Sequence, residues 1–209
     1  MKYLTFKQKI KSLPVFSTGL LSSLADDVNT LKVQLVGWKK KELIIPLRKG
    51  LYVLGKEERE IEPSLFYLAN QIFIPSYVSM ESALAFYGLI PEFVAQSTSV
   101  TVRKTCRFEN SFGVFSYQHL QPKCYTGYKA IKDENNLNVL IAEPEKAVID
   151  FLYLNLSKFD QFKKDIFKES YRFQNCNKLN KRKFKSTANL FESKKLNIVC
   201  DLFIKEIIK

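Results

Sequence analysis

Apolar residues recur at helical spacing through the first forty positions. Phe6, Ile10 and Leu13 stand at i, i+4 and i+7, the stripe of a short amphipathic helix. Pro14 stops it, because proline disfavours helix in the residue before it. Ser17 and Thr18 are cap types for a second short helix whose inward residues are Leu20, Leu21 and Leu24. Asp26-Asp27 follows as a connector, with Asp27 or Asn29 as the next cap. A third helix is predicted from about Asn29 to Lys41. Leu31, Leu35 and Trp38 share its inner face, while Thr30, Lys32, Gln34, Lys40 and Lys41 point largely away. The period then changes. Leu43-Ile44-Ile45-Pro46 and Leu51-Tyr52-Val53-Leu54 read as two strands joined by Leu47-Arg48-Lys49-Gly50, with glycine supplying the turn. Three short helices followed by a basic-tipped hairpin are the layout of a winged helix-turn-helix.

Further along, Pro63 sits at the first turn of a helix from Ser64 to about Phe73, with Leu65, Leu68, Ala69 and Ile72 inward. A second helix is predicted over Met80 to Tyr87, closed by Gly88. Strands are predicted over Thr98 to Arg103, Phe112 to His119, Tyr125 to Ile131 and Leu137 to Ala142, separated by turn residues such as Glu109-Asn110-Ser111 and Asn135-Asn136. Pro144 opens a helix to about Leu154, and the remainder is helical, with Leu196, Val199, Phe203 and Ile207 on one face. The expected fold is α+β in three parts. They are a winged helix-turn-helix over 1–55, a mixed α/β domain over 56–155, and a basic helical tail over 156–209 packed on the second domain.

Composition narrows the function classes. A chain of 209 residues with 46% hydrophobic content, 17 Phe and 10 Tyr buries a substantial core and is not a disordered segment. No apolar run approaches the ~20 residues needed to span a bilayer, and the start lacks a signal-peptide layout, so a soluble cytoplasmic protein with no membrane partner is expected. Cys106, Cys124, Cys176 and Cys200 are widely spaced and His119 is the sole histidine, which disfavours a zinc site; the cysteines read as small buried hydrophobes. No cofactor is expected. The net charge of +12 points to a polyanionic partner. Residues 1–55 carry ten Lys/Arg against three Asp/Glu, residues 56–155 nine against twelve, and residues 156–209 fourteen against six. Two basic ends therefore flank a slightly acidic middle.

Those charges suggest a DNA site on the third helix and hairpin. Asn29, Thr30 and Gln34 are the candidates for base edges. Lys32 belongs to the same basic face, and Lys39, Lys40 and Lys41 suit backbone phosphates. Arg48 and Lys49 at the hairpin tip also suit phosphates. A second basic surface is formed by Lys178, Lys181, Arg182, Lys183 and Lys185, for which a solvated helix face is the simplest reading. Glu143, Glu145, Lys146 and Asp150 invite comparison with Mg²⁺-dependent nucleases, but they crowd one helix start where capping and the helix dipole account for them. There is no P-loop, no Gly-Ser followed by Asp-x-Asp, and glycine is scarce, so no catalytic residue is assigned. His119 falls in a strand-like run. Sequence-specific DNA binding leads; an RNA- or protein-binding module is the alternative and a metal-dependent nuclease the third reading.

Four strings carry a family likeness. They are Arg48-Lys49-Gly50-Leu51-Tyr52, Pro75-Ser76-Tyr77-Val78-Ser79-Met80-Glu81-Ser82-Ala83-Leu84, Tyr87-Gly88-Leu89-Ile90-Pro91-Glu92, and Ala142-Glu143-Pro144-Glu145-Lys146-Ala147-Val148-Ile149-Asp150. In this order and spacing, residues about 50 to 155 resemble the AbiEi family of type IV antitoxins, regulators of abortive-infection antiviral defence systems. With the N-terminal part, the likeness spans about three quarters of the chain. The resemblance implies a repressor that binds double-stranded DNA of its own promoter through the N-terminal domain. It further implies that the C-terminal region counteracts a nucleotidyltransferase toxin without forming a stable complex. The strings also have purely structural readings, with Ser79 as a cap and Gly50 and Gly88 at turns.

Overall fold

The computed structural model describes residues 2–24, 27–92, 94–159 and 164–208, and the chain is a mixed α+β protein. It begins with α1 (Tyr3–Ile10), β1 (Phe16–Ser17), α2 (Thr18–Leu24), α3 (Val28–Lys40), β2 (Ile44–Arg48) and β3 (Leu51–Leu54). Ser17 Oγ accepts from the Leu20 amide at the start of α2, and the Asp27 carboxylate accepts from the Asn29 and Thr30 amides to cap α3. The strands form an antiparallel sheet in the order β1-β3-β2. Gly50 holds a φ of +78° at the hairpin tip, where a side chain would be strained.

The stripe residues Phe6, Ile10, Leu21, Leu31, Leu35 and Trp38 meet Phe16, Ile44 and Leu54 in one apolar cluster. Phe6 stacks on Trp38 at 4.5 Å between centroids. Leu20, expected inward, is 36% exposed instead, because a helix of seven residues presents only one narrow stripe to the core. The Asp26 connector and the Leu24 side chain lie outside the described residues. The two-residue strand β1 is too short to show a period and was not expected.

The second part adds α4 (Leu65–Ile72), β4 (Ser76–Val78), α5 (Met80–Phe86), β5 (Gln96–Thr101), β6 (Cys106–Asn110), β7 (Gly113–His119), β8 (Tyr128–Lys132), β9 (Asn138–Ala142) and α6 (Pro144–Leu154). Ser64 caps α4 by accepting from the Tyr67 amide, so Pro63 precedes the cap instead of entering the first turn. The strands make a six-stranded mixed sheet in the order β6-β7-β5-β4-β9-β8. β4 pairs parallel with β9 and β5 parallel with β7, while the other neighbours are antiparallel. Two of these strands were not expected. β4 is three residues after a proline, and β6 alternates apolar and charged residues at an edge. Last come α7 (Lys181–Asn189) and α8 (Lys194–Glu206), whose Phe184, Ala188, Leu196, Val199 and Phe203 join the main core.

The β2–β3 hairpin lies between the two cores. Ile44 and Leu54 face the N-terminal helices, whereas Leu47, Leu51 and Val53 belong to the main cluster. Successive strand side chains point to opposite faces, so one short hairpin serves both cores. Asn110 at the end of β6 donates from Nδ2 to the Leu47 carbonyl at 3.0 Å, fastening hairpin to sheet.

Candidate nucleic-acid interface

Helix α3 turns Leu31, Leu35 and Trp38 inward, at 1%, 5% and 8% exposure. Its opposite ridge is therefore Asn29, Val33, Val36 and Lys40, at i, i+4, i+7 and i+11, and all four are exposed. Lys32 and Lys39 flank one side of the ridge and Thr30 and Lys41 the other. The helix contains no Asp or Glu. Among the described residues no acidic side chain pairs with Lys32, Lys39, Lys40 or Lys41. Around α1 two lysines are compensated. Lys7 pairs with Glu58 at 2.9 Å and Lys11 with Glu60 at 3.0 Å, and the Glu58 carboxyl is lowered chiefly by its hydrogen bond from Lys7. The largest group of cations in this part without an acidic partner among the described residues is thus Lys32, Lys39, Lys40 and Lys41, on and just after α3, with Lys9 exposed on α1.

The three residues expected at base edges are not equivalent. Asn29 sits on the outward ridge. Thr30 bonds through its hydroxyl to the capping Asp27 carboxylate, and Gln34 is half-buried on the flank. The cap requirement and the inner stripe compete with outward display at those two positions.

Along β2 runs an open groove of about 1070 Å³ whose lining includes Lys39, Lys41, Arg48, Lys49 and Lys56. Glu42, Glu57, Glu58 and Glu109 share its walls, so the groove is mixed in sign. At the hairpin tip the two basic residues diverge. Lys49 is exposed, whereas Arg48 donates from Nε to the Ile72 carbonyl at the end of α4 (2.6 Å) and from a terminal nitrogen to the Lys49 carbonyl. Arg48 is thereby turned toward the end of α4, as a C-terminal cap of that helix.

Of the charged cluster at α6, Glu145, Lys146 and Asp150 are buried and Glu143 is half-buried. Lys146 and Asp150, one helical turn apart, form an ion pair at 1% and 0% exposure. Tyr77 and Ser79 from β4 and its end donate hydroxyl hydrogen bonds to the other Asp150 oxygen at 3.0 and 2.8 Å. Lys146 also lies over the Phe191 ring at 4.6 Å. Burial raises the Asp150 carboxyl above its usual range, although the Lys146 charge and the hydroxyl donors pull the other way. Ser79 is therefore not a side-chain cap of α5. Thr98 on β5 takes the Ser82 amide instead (3.0 Å) and donates to the Ser79 carbonyl.

Glu143 and Glu145 do not cap α6 either. Glu143 pairs with Lys183 at 2.8 Å, and Glu145 accepts from the Asn180 amide at the start of α7. Among the described residues no three His, Cys, Asp or Glu side chains are grouped so as to hold a metal ion. His119 is exposed on β7, with Nδ1 at 3.0 Å from the Arg103 carbonyl. Burial raises all four cysteine thiols, Cys176 and Cys200 to about 12, so they sit far from the thiolate form.

The basic run of the tail is divided by α7. Lys183 and Lys185 pair with Glu143 and Asp201, leaving Lys178, Lys181 and Arg182 exposed at the helix start. The structure does not bring this run near α3 as one surface: α7 packs on α6 and α8. The residues overlooked in the sequence are Val33 and Val36, which hydropathy alone assigns to a core. The signal that exposes them is helical phase, since they fall opposite Leu31, Leu35 and Trp38. No protein-family model matches this chain, and no curated protein matches it. Among the described residues no helix is long and apolar enough to cross a membrane.

Proposed function

We propose that this chain is a sequence-specific regulator of double-stranded promoter DNA, acting in the cytoplasm. In this reading residues 1–55 work as a winged helix-turn-helix and α3 is the helix that enters the major groove. One observation carries the reading: α3 is docked by a single apolar stripe and shows solvent a ridge bordered by lysines, with no acid on the helix. A major groove admits an α-helix, and lysines along its flanks neutralise phosphates and release counterions. The element order helix, strand, helix, helix, hairpin, with β1 pairing onto β3, is compatible with that use. The resemblance of residues 50–155 to AbiEi antitoxins extends the proposal to repression of the chain's own promoter and opposition to a nucleotidyltransferase toxin. The exposed residues Lys178, Lys181 and Arg182 then form a separate basic surface. The α6 carboxylates and lysine are committed to one another and to α7, which argues against a nuclease centre and for a non-enzymatic role.

Fluorescence anisotropy with duplex DNA from upstream of the coding sequence and with a scrambled duplex, each at two salt concentrations, tests the proposal. Preference for the upstream duplex, with affinity falling steeply as salt rises, is expected. Lys32→Ala with Lys40→Ala should weaken binding to both duplexes and flatten the salt slope by about two charges. Equal weak binding to both duplexes with no salt-resistant part would replace this reading by an RNA- or protein-binding module.

A further inference from the structure

Val33 is 74% exposed, the largest exposure among the bulky hydrophobic residues described, and Val36 one turn on is 50% exposed. Folding gains little from either. A β-branched residue loses rotamer freedom in a helix, and at a largely solvated position it buries little area in exchange. The two side chains are neighbours on the outward ridge, between Asn29 and Lys40. A protein partner covering this ridge would have to desolvate or neutralise Lys32, Lys39, Lys40 and Lys41 around it, whereas a polyanion meets that rim directly. The one prominent apolar group in the floor of a DNA major groove is the C5-methyl of thymine.

Resting on the DNA-binding reading above, we propose that Val33 and Val36 are specificity residues that read thymine methyls at the centre of the site. Residues three apart on a helix are about 5–6 Å apart, within reach of methyls on adjacent base pairs spaced about 3.4 Å. Asn29, nearer the helix start, is placed to bond an adenine edge beside them, and the lysines engage phosphates on either side. The preferred site accordingly contains consecutive thymines, and its recognition is as much apolar as hydrogen-bonded.

The test uses the full chain. A preferred duplex is selected from a randomised library and titrated by anisotropy, then retitrated with deoxyuridine replacing thymine one position at a time. Deoxyuridine removes only the methyl and leaves base pairing and hydrogen-bonding edges intact. Loss of roughly fourfold in affinity is expected at one or two adjacent positions, the worth of withdrawing one methyl from an apolar contact. Val33→Ala and Val36→Ala should bind the thymine duplex about as weakly as the native chain binds the deoxyuridine one, and each should become indifferent to deoxyuridine at its own position. Both sites are exposed, and unchanged Trp38 fluorescence checks the fold. Selective binding with no thymine-methyl dependence, or variants that keep the full dependence, overturns the inference and leaves the DNA reading standing. Variants that bind DNA normally but lose self-association would assign the ridge to a second copy of the chain. Failure of any duplex to be enriched removes the DNA reading itself.

Discussion

Lys146 and Asp150 form an ion pair where water does not reach, and the Tyr77 and Ser79 hydroxyls complete the carboxylate's shell. Removing one partner of such a pair leaves an uncompensated buried charge, which costs far more than the pair contributes. Lys146→Met should therefore lower unfolding free energy by about 3–5 kcal/mol in guanidinium titrations. Lys183→Met, which breaks the half-exposed contact to Glu143, should stay within about 1 kcal/mol of the native chain. The deficit of Lys146→Met should also shrink on acidification. Burial already raises Asp150, and losing its cation raises it further, so the penalty applies above the folded pKa and is relieved as pH falls through it. A deficit that is small, or independent of pH, would show that Asp150 is solvated.

Among the elements, α3 and the hairpin after it depend on local details that the apolar pattern does not display. The Asp27 carboxyl is lowered from its usual value first by the Thr30 hydroxyl and then by the Asn29 amide. A depressed folded-state pKa means the stabilising effect is complete above the ordinary carboxylate value, about 3.9, and is lost as pH falls through the lower folded value. Helical signal from the N-terminal part should accordingly fray in that acid range in the native chain, and Asp27→Ala should show the loss already at neutral pH. Fraying at the same pH in both would remove Asp27 from the cap.

The hairpin's exit is equally constrained. A Cβ at Gly55 would fall 2.2 Å from the Glu42 carbonyl oxygen, and the Gly55 amide is bonded to Leu43. Since the obstructing atom is backbone, Gly55→Ala should cost roughly 1–3 kcal/mol in thermal or chemical denaturation. A neutral result would mean that the α3–β2 junction yields.

For the molecule as a whole, the hairpin is the shared wall. Leu47, Leu51 and Val53 face one core and Ile44 and Leu54 the other, while Arg48 and Asn110 stitch the tip to the second part. The first 55 residues alone would leave three apolar side chains in water. Trp38, the single tryptophan, sits in the N-terminal core, whereas far-UV circular dichroism reports on all helices. The two signals should lose structure in one coincident guanidinium transition. Leu47→Ala, at 2% native exposure, should lower that common midpoint by an amount equivalent to about 2–5 kcal/mol. Separate transitions, with Trp38 first, would show the hairpin to be a loose contact.

By itself the sequence determined the elements whose stripes are long enough to display a period. α3, α6 and the hairpin follow from Leu31, Leu35 and Trp38, from Pro144 with its apolar run, and from Gly50 between two apolar strings. It also determined where the positive charge is concentrated, because lysine spacing on a helix is local information. β1 and β4 escaped it because two or three residues carry no period, and their pairing to β3 and β9 is made only across the sheet. The candidate interface was legible as a basic helix, but not in its details. Asp27 draws Thr30 into a cap, α4 draws Arg48 away from the hairpin tip, and Glu143 holds Lys183. Only the tertiary structure decided those partners; the phase of α3 was already written in Leu31, Leu35 and Trp38, and their burial turns Val33 and Val36 outward. A side chain's chemistry is written in the sequence; whether that chemistry faces solvent depends on which neighbours compete for it in three dimensions.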